Sequence, residues 1–269
     1  MKAPRFEYEK PKSLDAALTL LAGASGEVKL LAGGQSLGPM LNLRLVSPDL
    51  LIDVRSLPEL REVRDERDAI VLGASSTHAQ IEDRASADPT HRFLATVAHG
   101  IAYRAVRNRG TLGGSLAHAD PAADWISAMA LLDATLIVRS AKGERRIAAA
   151  DFVTGALTTQ LTAADIIVSV HVPKLSARAR AAYFKFSRKP GEFAHAIAGV
   201  IEDPARGVCR AVIGSTQGAP AVIADAARFV GRFDESHARA TVTAAGFDPG
   251  SYQHQVHVVA LKRAAARLQ

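Results

Sequence analysis

Two stretches decide how this chain is read: Ala32-Gly33-Gly34-Gln35-Ser36, directly after the apolar run Val28–Leu31, and Gly110-Thr111-Leu112-Gly113-Gly114-Ser115 further along. Paired glycines let a backbone approach a ligand closely and take positive φ angles. Consecutive amides in such a turn form a nest for an anion. Ser36, Thr111 and Ser115 add hydroxyls, so the chemistry that suits both loops is diphosphate binding. One such loop alone reads better as a tight turn without a ligand; a pair is far more specific. The second stretch is too glycine-rich for a helix or strand interior and is expected as a loop. It feeds His118-Ala119-Asp120-Pro121, where Asp120 as N-cap and Pro121 in the first turn are expected to start a helix. Asp124 then falls where an acid suits the helix dipole, or where it could bond a ribose hydroxyl.

Outward from the loops, short helices and strands alternate. Ser13 caps a helix that Gly23 ends, with Leu14, Ala17, Leu18 and Leu21 on one face. Leu50–Val54 and Ala69–Ala74 read as buried strands. Thr77 and Gln80 form a capping box that opens a helix to about Ala85, and Phe93–Tyr103 has helical spacing. Thr135–Arg139 and Arg145–Ala148 read as a hairpin around Ala141-Lys142-Gly143. Ile166–Val172 is a strand stopped by Pro173, and 174–180 is the expected linker. Ala181–Phe186, Ala196–Ile201 and Val208–Ile213 read as three antiparallel strands. Two helices, or three, are expected to close the chain, over 221–230, 238–245 and 256–268. Strands followed by helices suggest an α+β C-terminal domain.

The first loop also mimics a dinucleotide fingerprint, with Asp53 near the spacing of its ribose acid. The G-x-G-x-x-G spacing is absent, Pro39 follows early, and a full crossover helix does not fit well before the second strand. No Gly-Lys-Ser or Gly-Lys-Thr is present, so this is no P-loop.

The 269 residues are 48% apolar and 22% charged, ordinary for a globular protein. The one cysteine, Cys209, excludes an internal disulfide, a four-Cys iron–sulfur cluster and a Cys-rich zinc site, and fits a reducing compartment. The net charge is +6, but the basic residues are scattered and aromatics are 5%, so no nucleic-acid partner is expected. Met1–Arg5 has no apolar core segment and no long apolar run follows, so neither a secretory leader nor a membrane span is expected, and a cytoplasmic location is. His118, Asp120 and Asp124 lack a His-x-x-x-His partner pair, so no metal site is expected. Ser115, His118 and Asp124 lack a nucleophile elbow, so no hydrolase triad is expected. His99, His171, His195, His254 and His257 read as structural or surface.

The two loops resemble those of the medium, FAD-binding subunit of the molybdenum hydroxylases. That family includes the flavoprotein subunit of aerobic carbon monoxide dehydrogenase and the flavin domain of xanthine dehydrogenase. Leu37, Pro39, Leu41, Asn42 and Arg44 carry the resemblance past the first loop; Asn108, Arg109, His118, Asp120, Pro121 and Asp124 flank the second. Tyr183–Arg188 and Gly191–Ala194 extend it over nearly the whole chain.

The resemblance implies an α+β fold class, with a two-lobed FAD-binding domain of the vanillyl-alcohol-oxidase/PCMH type over 1–175 whose α+β lobes are 1–57 and 58–175. A C-terminal domain over 176–269, with a three-stranded antiparallel sheet and helices, would follow. It implies that Lys29, Leu30 and Leu31 and the loop Ala32, Gly33, Gly34, Gln35 and Ser36 wrap the FAD diphosphate. Thr111, Gly113, Gly114 and Ser115 would lie against diphosphate and isoalloxazine, Asp124 would meet the adenosine end, and Ile101, Val168 and Lys185 would be further contacts. The carbon monoxide enzymes carry His where Gln35 stands, which weighs slightly against carbon monoxide as substrate. Phe193 either stacks near the flavin or is a core aromatic.

The implied role is electron transfer with no catalytic acid or base in this chain. A small [2Fe-2S] subunit and a large molybdopterin subunit would complete a heterotrimer, itself doubled, and an external acceptor would take the electrons. The competing readings are a stand-alone FAD-dependent oxidoreductase of the same fold, a non-enzymatic binder of a phosphorylated ligand, and a structural subunit with vestigial loops.

Overall fold

The computed structural model describes residues 2–85 and 88–268. Three larger sheets and a two-stranded ribbon, Val153–Gly155 with Thr158–Thr159, organise them. The first is parallel, with Leu50–Asp53 between Glu7–Glu9 and Val28–Leu31. The helix Leu14–Gly23 connects the outer strands, capped by Ser13 Oγ accepting from Ala16 N at 3.2 Å. A six-residue helix, Leu37–Asn42, crosses from Val28–Leu31 to Leu50–Asp53. The connection holds a helix, but a short one of six residues rather than a full crossover helix. Pro39 lies in that helix's first turn, where its missing N–H would have had no intrahelical partner anyway.

The parallel strand order explains Asp53. Its carboxylate is fully buried and accepts from Tyr8 Oη at 2.5 Å, Arg55 Nη2 at 2.7 Å and Arg55 N at 3.0 Å. It is engaged inside the protein and is no ribose ligand. Burial pushes this carboxyl upward, but the bonds from Arg55 and Tyr8 hold it at about 2, against 3.8 for a free Asp. A depressed folded-state pKa stabilises above the unfolded value and fades as pH falls from 3.8 towards 2. Asp53→Asn is therefore expected to destabilise the chain by roughly 2 kcal/mol at pH 7. Urea midpoints at pH 7 and in acid check this, and the gap between wild type and variant should narrow in acid.

The second sheet is antiparallel and five-stranded, in the order Val63–Asp65, Ala69–Gly73, Ile166–Pro173, Thr135–Ser140, Gly143–Ala148. The hairpin 135–148 is as the sequence predicts, with Thr135 opposite Ala148. The helix Asp124–Leu131 is buried along its whole length, with Trp125, Ala128 and Met129 fully enclosed. It packs on the third sheet as well, where Leu131 and Ser127 press onto Gly199 and Gly214.

The third sheet holds the three expected long strands, Arg180–Phe186, Ala196–Asp203 and Val208–Gly214, and the helices Glu235–Ala244 and Tyr252–Ala266. A second core of Phe184, Val200, Ile213, Phe229 and Leu261 lies between sheet and helices. The helix expected over 221–230 is instead a short fourth strand, Ala221–Ile223, and a 3-10 turn, Ala227–Phe229. The Ala-Val-Ile run pairs with Ala211–Ile213, which suits β-branched side chains better than a helix would.

The helix from Phe93 ends at His99 rather than Tyr103, which opens the next turn, Arg104–Arg107. The expected linker is not a loose tether. Buried Asp203 accepts from Ser176 N at 3.0 Å and Ser176 Oγ at 2.5 Å, and Arg206 bonds the Lys174 carbonyl. No helix among the described residues is long and apolar enough to cross a membrane.

Candidate functional site

The two glycine stretches meet. A Cβ on Gly33 would lie 2.2 Å from the Arg109 carbonyl oxygen and 2.7 Å from Gly110 Cα. A Cβ on Gly114 would lie 3.4 Å from Ala32 Cβ. The fold thus joins, at the end of the first sheet, two segments distant in sequence.

Their amides are used differently. Gly33, Gly34, Gln35 and Ser36 donate their backbone N–H to no acceptor among the described residues. Gly34 takes a positive φ of 72°, and Gln35 turns its own amide onto the Gly33 carbonyl at 3.3 Å. Four successive free donors at a strand end are what an anion nest requires.

The second stretch is not the loop the sequence predicts: Thr111 caps a helix, Leu112–His118, its Oγ accepting from Gly114 N at 3.1 Å. Leu112 N donates to the Ser76 carbonyl at 2.9 Å, Gly113 N to Ala74 at 2.8 Å, and Ser115 N to Thr111 at 3.0 Å. These amides are already satisfied, so this segment contributes surface rather than a nest. Glycine disfavours a helix by about 1 kcal/mol, but only glycine fits: a Cβ on Gly113 would sit 2.5 Å from Ala74 Cβ. Close packing overrides propensity there.

Val168 supports the same segment from below. It sits at a bulge in Ile166–Pro173, and its carbonyl accepts from Ala74 N at 2.8 Å. Its role in the structure runs through the backbone, by way of Ala74 to Gly113. Lys29 is half-exposed and pairs with Glu27 at 3.2 Å, Leu30 and Leu31 are partly buried beneath the first loop, and the Leu31 carbonyl accepts from Val54 N.

Asp120 does not cap the next helix. Its Oδ1 accepts from Ala122 N at 2.9 Å in an Asx turn, and the helix starts at Asp124 with Ala123 as N-cap. The left-handed Ala119 (φ 51°) has just ended the previous helix, and the chain is redirected over 120–123 before the next one begins.

Asp124 is 4% exposed. Its Oδ1 accepts from Tyr183 Oη at 3.0 Å and its Oδ2 from Lys185 Nζ at 2.8 Å. Lys185 also donates to the Gly100 carbonyl at 3.1 Å, beside Ile101. The structure thus brings Ile101, Asp124 and Lys185 together, with the two charges facing one another. Burial pushes the Asp124 carboxyl above the usual carboxylate range, against the pull of Lys185 and Tyr183.

Two residues the sequence reading passed over complete the frame. Arg107, 8% exposed, donates to the Ile101 and Ala102 carbonyls at 3.0 and 2.9 Å and pairs with Glu82 at 2.7 Å. It fixes the turn that carries Ile101. His78 lies beneath Gly110 and accepts from Trp125 Nε1 at 3.0 Å. Neither has a local sequence signal, because Glu82 and Trp125 are remote in the chain.

Phe193 is 60% exposed, which rules out the core alternative. It follows Gly191, whose Cβ position lies 3.2 Å from Cζ of the equally exposed Tyr103. No cluster of three metal-ligating side chains exists among the described residues.

A strand-end nest of free amides, braced by a second glycine segment, fits a nucleotide cofactor that carries a diphosphate. The architecture defines a nucleotide-cofactor-binding α+β protein. Residues 4–175 match the family model described as the FAD binding domain in molybdopterin dehydrogenase, and the chain belongs to this family.

Among curated relatives, it is 38% identical over 194 residues to the 6-hydroxypseudooxynicotine dehydrogenase complex subunit alpha of Paenarthrobacter nicotinovorans, covering 72% of this chain and 66% of that one. It is 37% identical to the carbon monoxide dehydrogenase medium chain of Hydrogenophaga pseudoflava, covering 75% and 70%. The alignments thus span about two thirds of these relatives' own length. A solved structure of carbon monoxide dehydrogenase from Hydrogenophaga pseudoflava, lacking the Mo-pyranopterin moiety of its cofactor, superposes with a TM-score of 0.90 at 32% identity, over 100% of this chain and 98% of that one. The fold class expected from the sequence is the one found, and FAD is the cofactor of this family's domain.

Proposed function

We propose that this chain is the FAD-binding, electron-transferring subunit of a molybdenum-containing hydroxylase or dehydrogenase. The observation that carries the reading is the set of free amides at Gly33–Ser36, held against the second glycine segment. They would bind the FAD diphosphate. Thr111–Ser115 would form the facing wall, and Tyr103 and Phe193 would shield the ring system from water. Bound FAD exchanges electrons one at a time with clusters and two at a time with an acceptor, which suits it to such a junction.

Asp124 and Lys185 would shape the pocket by tying the helix 124–131 to the strand 180–186, with Lys185 also holding the Gly100 carbonyl. With Cys209 as its one cysteine, this chain cannot ligate a four-thiolate cluster. The [2Fe-2S] clusters and the molybdopterin would belong to a small and a large partner in a doubled heterotrimer.

The test is to purify a tagged form of the chain from its own host and assay what accompanies it. FAD, iron and molybdenum are expected together. An assembly with iron and molybdenum but no flavin, or a chain that purifies alone, contradicts the proposal.

A further inference from the structure

We propose that His78 is a positioning residue for the cofactor cradle: its ring, pinned by Trp125, wedges beneath Gly110 and sets how the Thr111–Ser115 segment faces the ligand. The proposal rests on the FAD reading above.

The indole N–H of Trp125 can only donate, so the His78 Nδ1 at 3.0 Å must accept, and the ring proton is on Nε2. Both rings are buried, His78 at 5% and Trp125 at 0% exposure. The position of a Cβ on Gly110 is 2.7 Å from His78 Nε2, so the ring edge touches the backbone that opens the second glycine segment.

The residues before His78 hold the same segment. His78 N donates to the Gly110 carbonyl at 2.9 Å, the Ser76 carbonyl takes Leu112 N, and the Ala74 carbonyl takes Gly113 N. Thr77 bridges Thr111 and closes a capping box with Gln80, which fixes the backbone of His78 as the first residue of its helix. Backbone and side chain of His78 therefore fix the segment from one side, and Trp125, on the buried helix, anchors the side chain. The cradle's second wall is thereby coupled to the helix that begins at Asp124.

Burial, and to a lesser extent the Arg107 guanidinium, lower the His78 pKa to about 4. Arg107 is the charged group facing the ring, and Glu82 pairs with it. A protonated ring has no lone pair for Trp125, so acid should release the wedge.

The test measures FAD affinity of the full chain by flavin fluorescence from pH 8 down towards pH 4, for wild type, His78→Gln and His78→Leu, alongside melting of the FAD-free proteins. Gln can accept the indole N–H. His78→Gln is expected to bind within about threefold of wild type at pH 8 and to lack the wild type's acid-side weakening. His78→Leu leaves a buried donor unpaired and is expected to lose about tenfold or more.

The proposal is overturned if His78→Leu binds within about twofold of wild type, or if His78→Gln weakens in acid just as the wild type does. If His78→Leu does not fold, the pH profile of His78→Gln decides. A wild-type chain that takes up no FAD at any pH, alone or with its partner subunits present, overturns the FAD reading itself, which the other outcomes leave standing.

Discussion

Gly33→Ala is expected to abolish FAD uptake, with affinity falling by about 100-fold, while Gly23→Ala leaves it unchanged. The reason is geometric. A methyl group at Gly33 would lie 2.2 Å from the Arg109 carbonyl oxygen and 2.8 Å from its carbon, both backbone atoms that cannot swing aside. The contact between the two glycine segments must open, and the amides of Gly33–Ser36 then lose the wall that faces them. Overpacking of this kind costs about 1–3 kcal/mol, and about 100-fold in affinity is ~2.7 kcal/mol.

Gly23 is the control. It closes the helix Leu14–Gly23, its Cβ position meets nothing within 4 Å, and it lies outside the cradle. Titration of both variants with FAD measures the difference directly. Equal binding by Gly33→Ala and wild type would remove the claim that the two segments act as one site.

The second large effect is at Lys185. Lys185→Met is expected to destabilise the chain by about 3–5 kcal/mol at pH 8, because removing one partner leaves a buried charge on Asp124. Among the described residues, Tyr183 Oη and the backbone N–H of Asp124 itself are then left facing that carboxylate. Asp124→Asn/Lys185→Met, which carries no stranded charge, should recover much of the loss.

The pH dependence follows from sign. The Asp124 carboxyl is already pushed above its usual range by burial, and removing Lys185 pushes it further. A group whose folded-state pKa is raised is best tolerated where it is protonated, and its cost grows as pH rises through that pKa. The destabilisation by Lys185→Met should therefore be smaller at pH 5 than at pH 8, which urea unfolding at the two pH values will read. A cost that is independent of pH would mean that Asp124 is not the stranded group.

Much of the fold was legible because it is locally encoded. Ser13, Thr77 and the hairpin 135–148 carry their own caps and turns, and the three long C-terminal strands announce themselves by their apolar runs. The errors have a common cause in packing between remote segments. Glycines at 113 and 114 argue against a helix until Ala74 and Ala32 are seen pressing on them. Pro39 argues against a crossover until the helix start at Leu37 places it in the first turn. Asp120 looks like a cap, and its Asx turn is a local alternative of equal chemical plausibility.

At the site, the pair of glycine segments was legible and their unequal amides were not. Which N–H groups stay free depends on Ser76 and Ala74, carbonyls that no motif around residue 113 specifies. Arg107 and His78 were invisible for the same reason, since their partners lie far off in sequence.

The most direct test of the central claim is the visible absorption spectrum of the purified chain, with and without added FAD, followed by chromatography of what denaturation releases. The expected result is an oxidised-flavin spectrum and release of FAD in stoichiometric amount, lost in Gly33→Ala. A folded chain that stays colourless and takes up no added FAD, alone or with its partner subunits present, would contradict it.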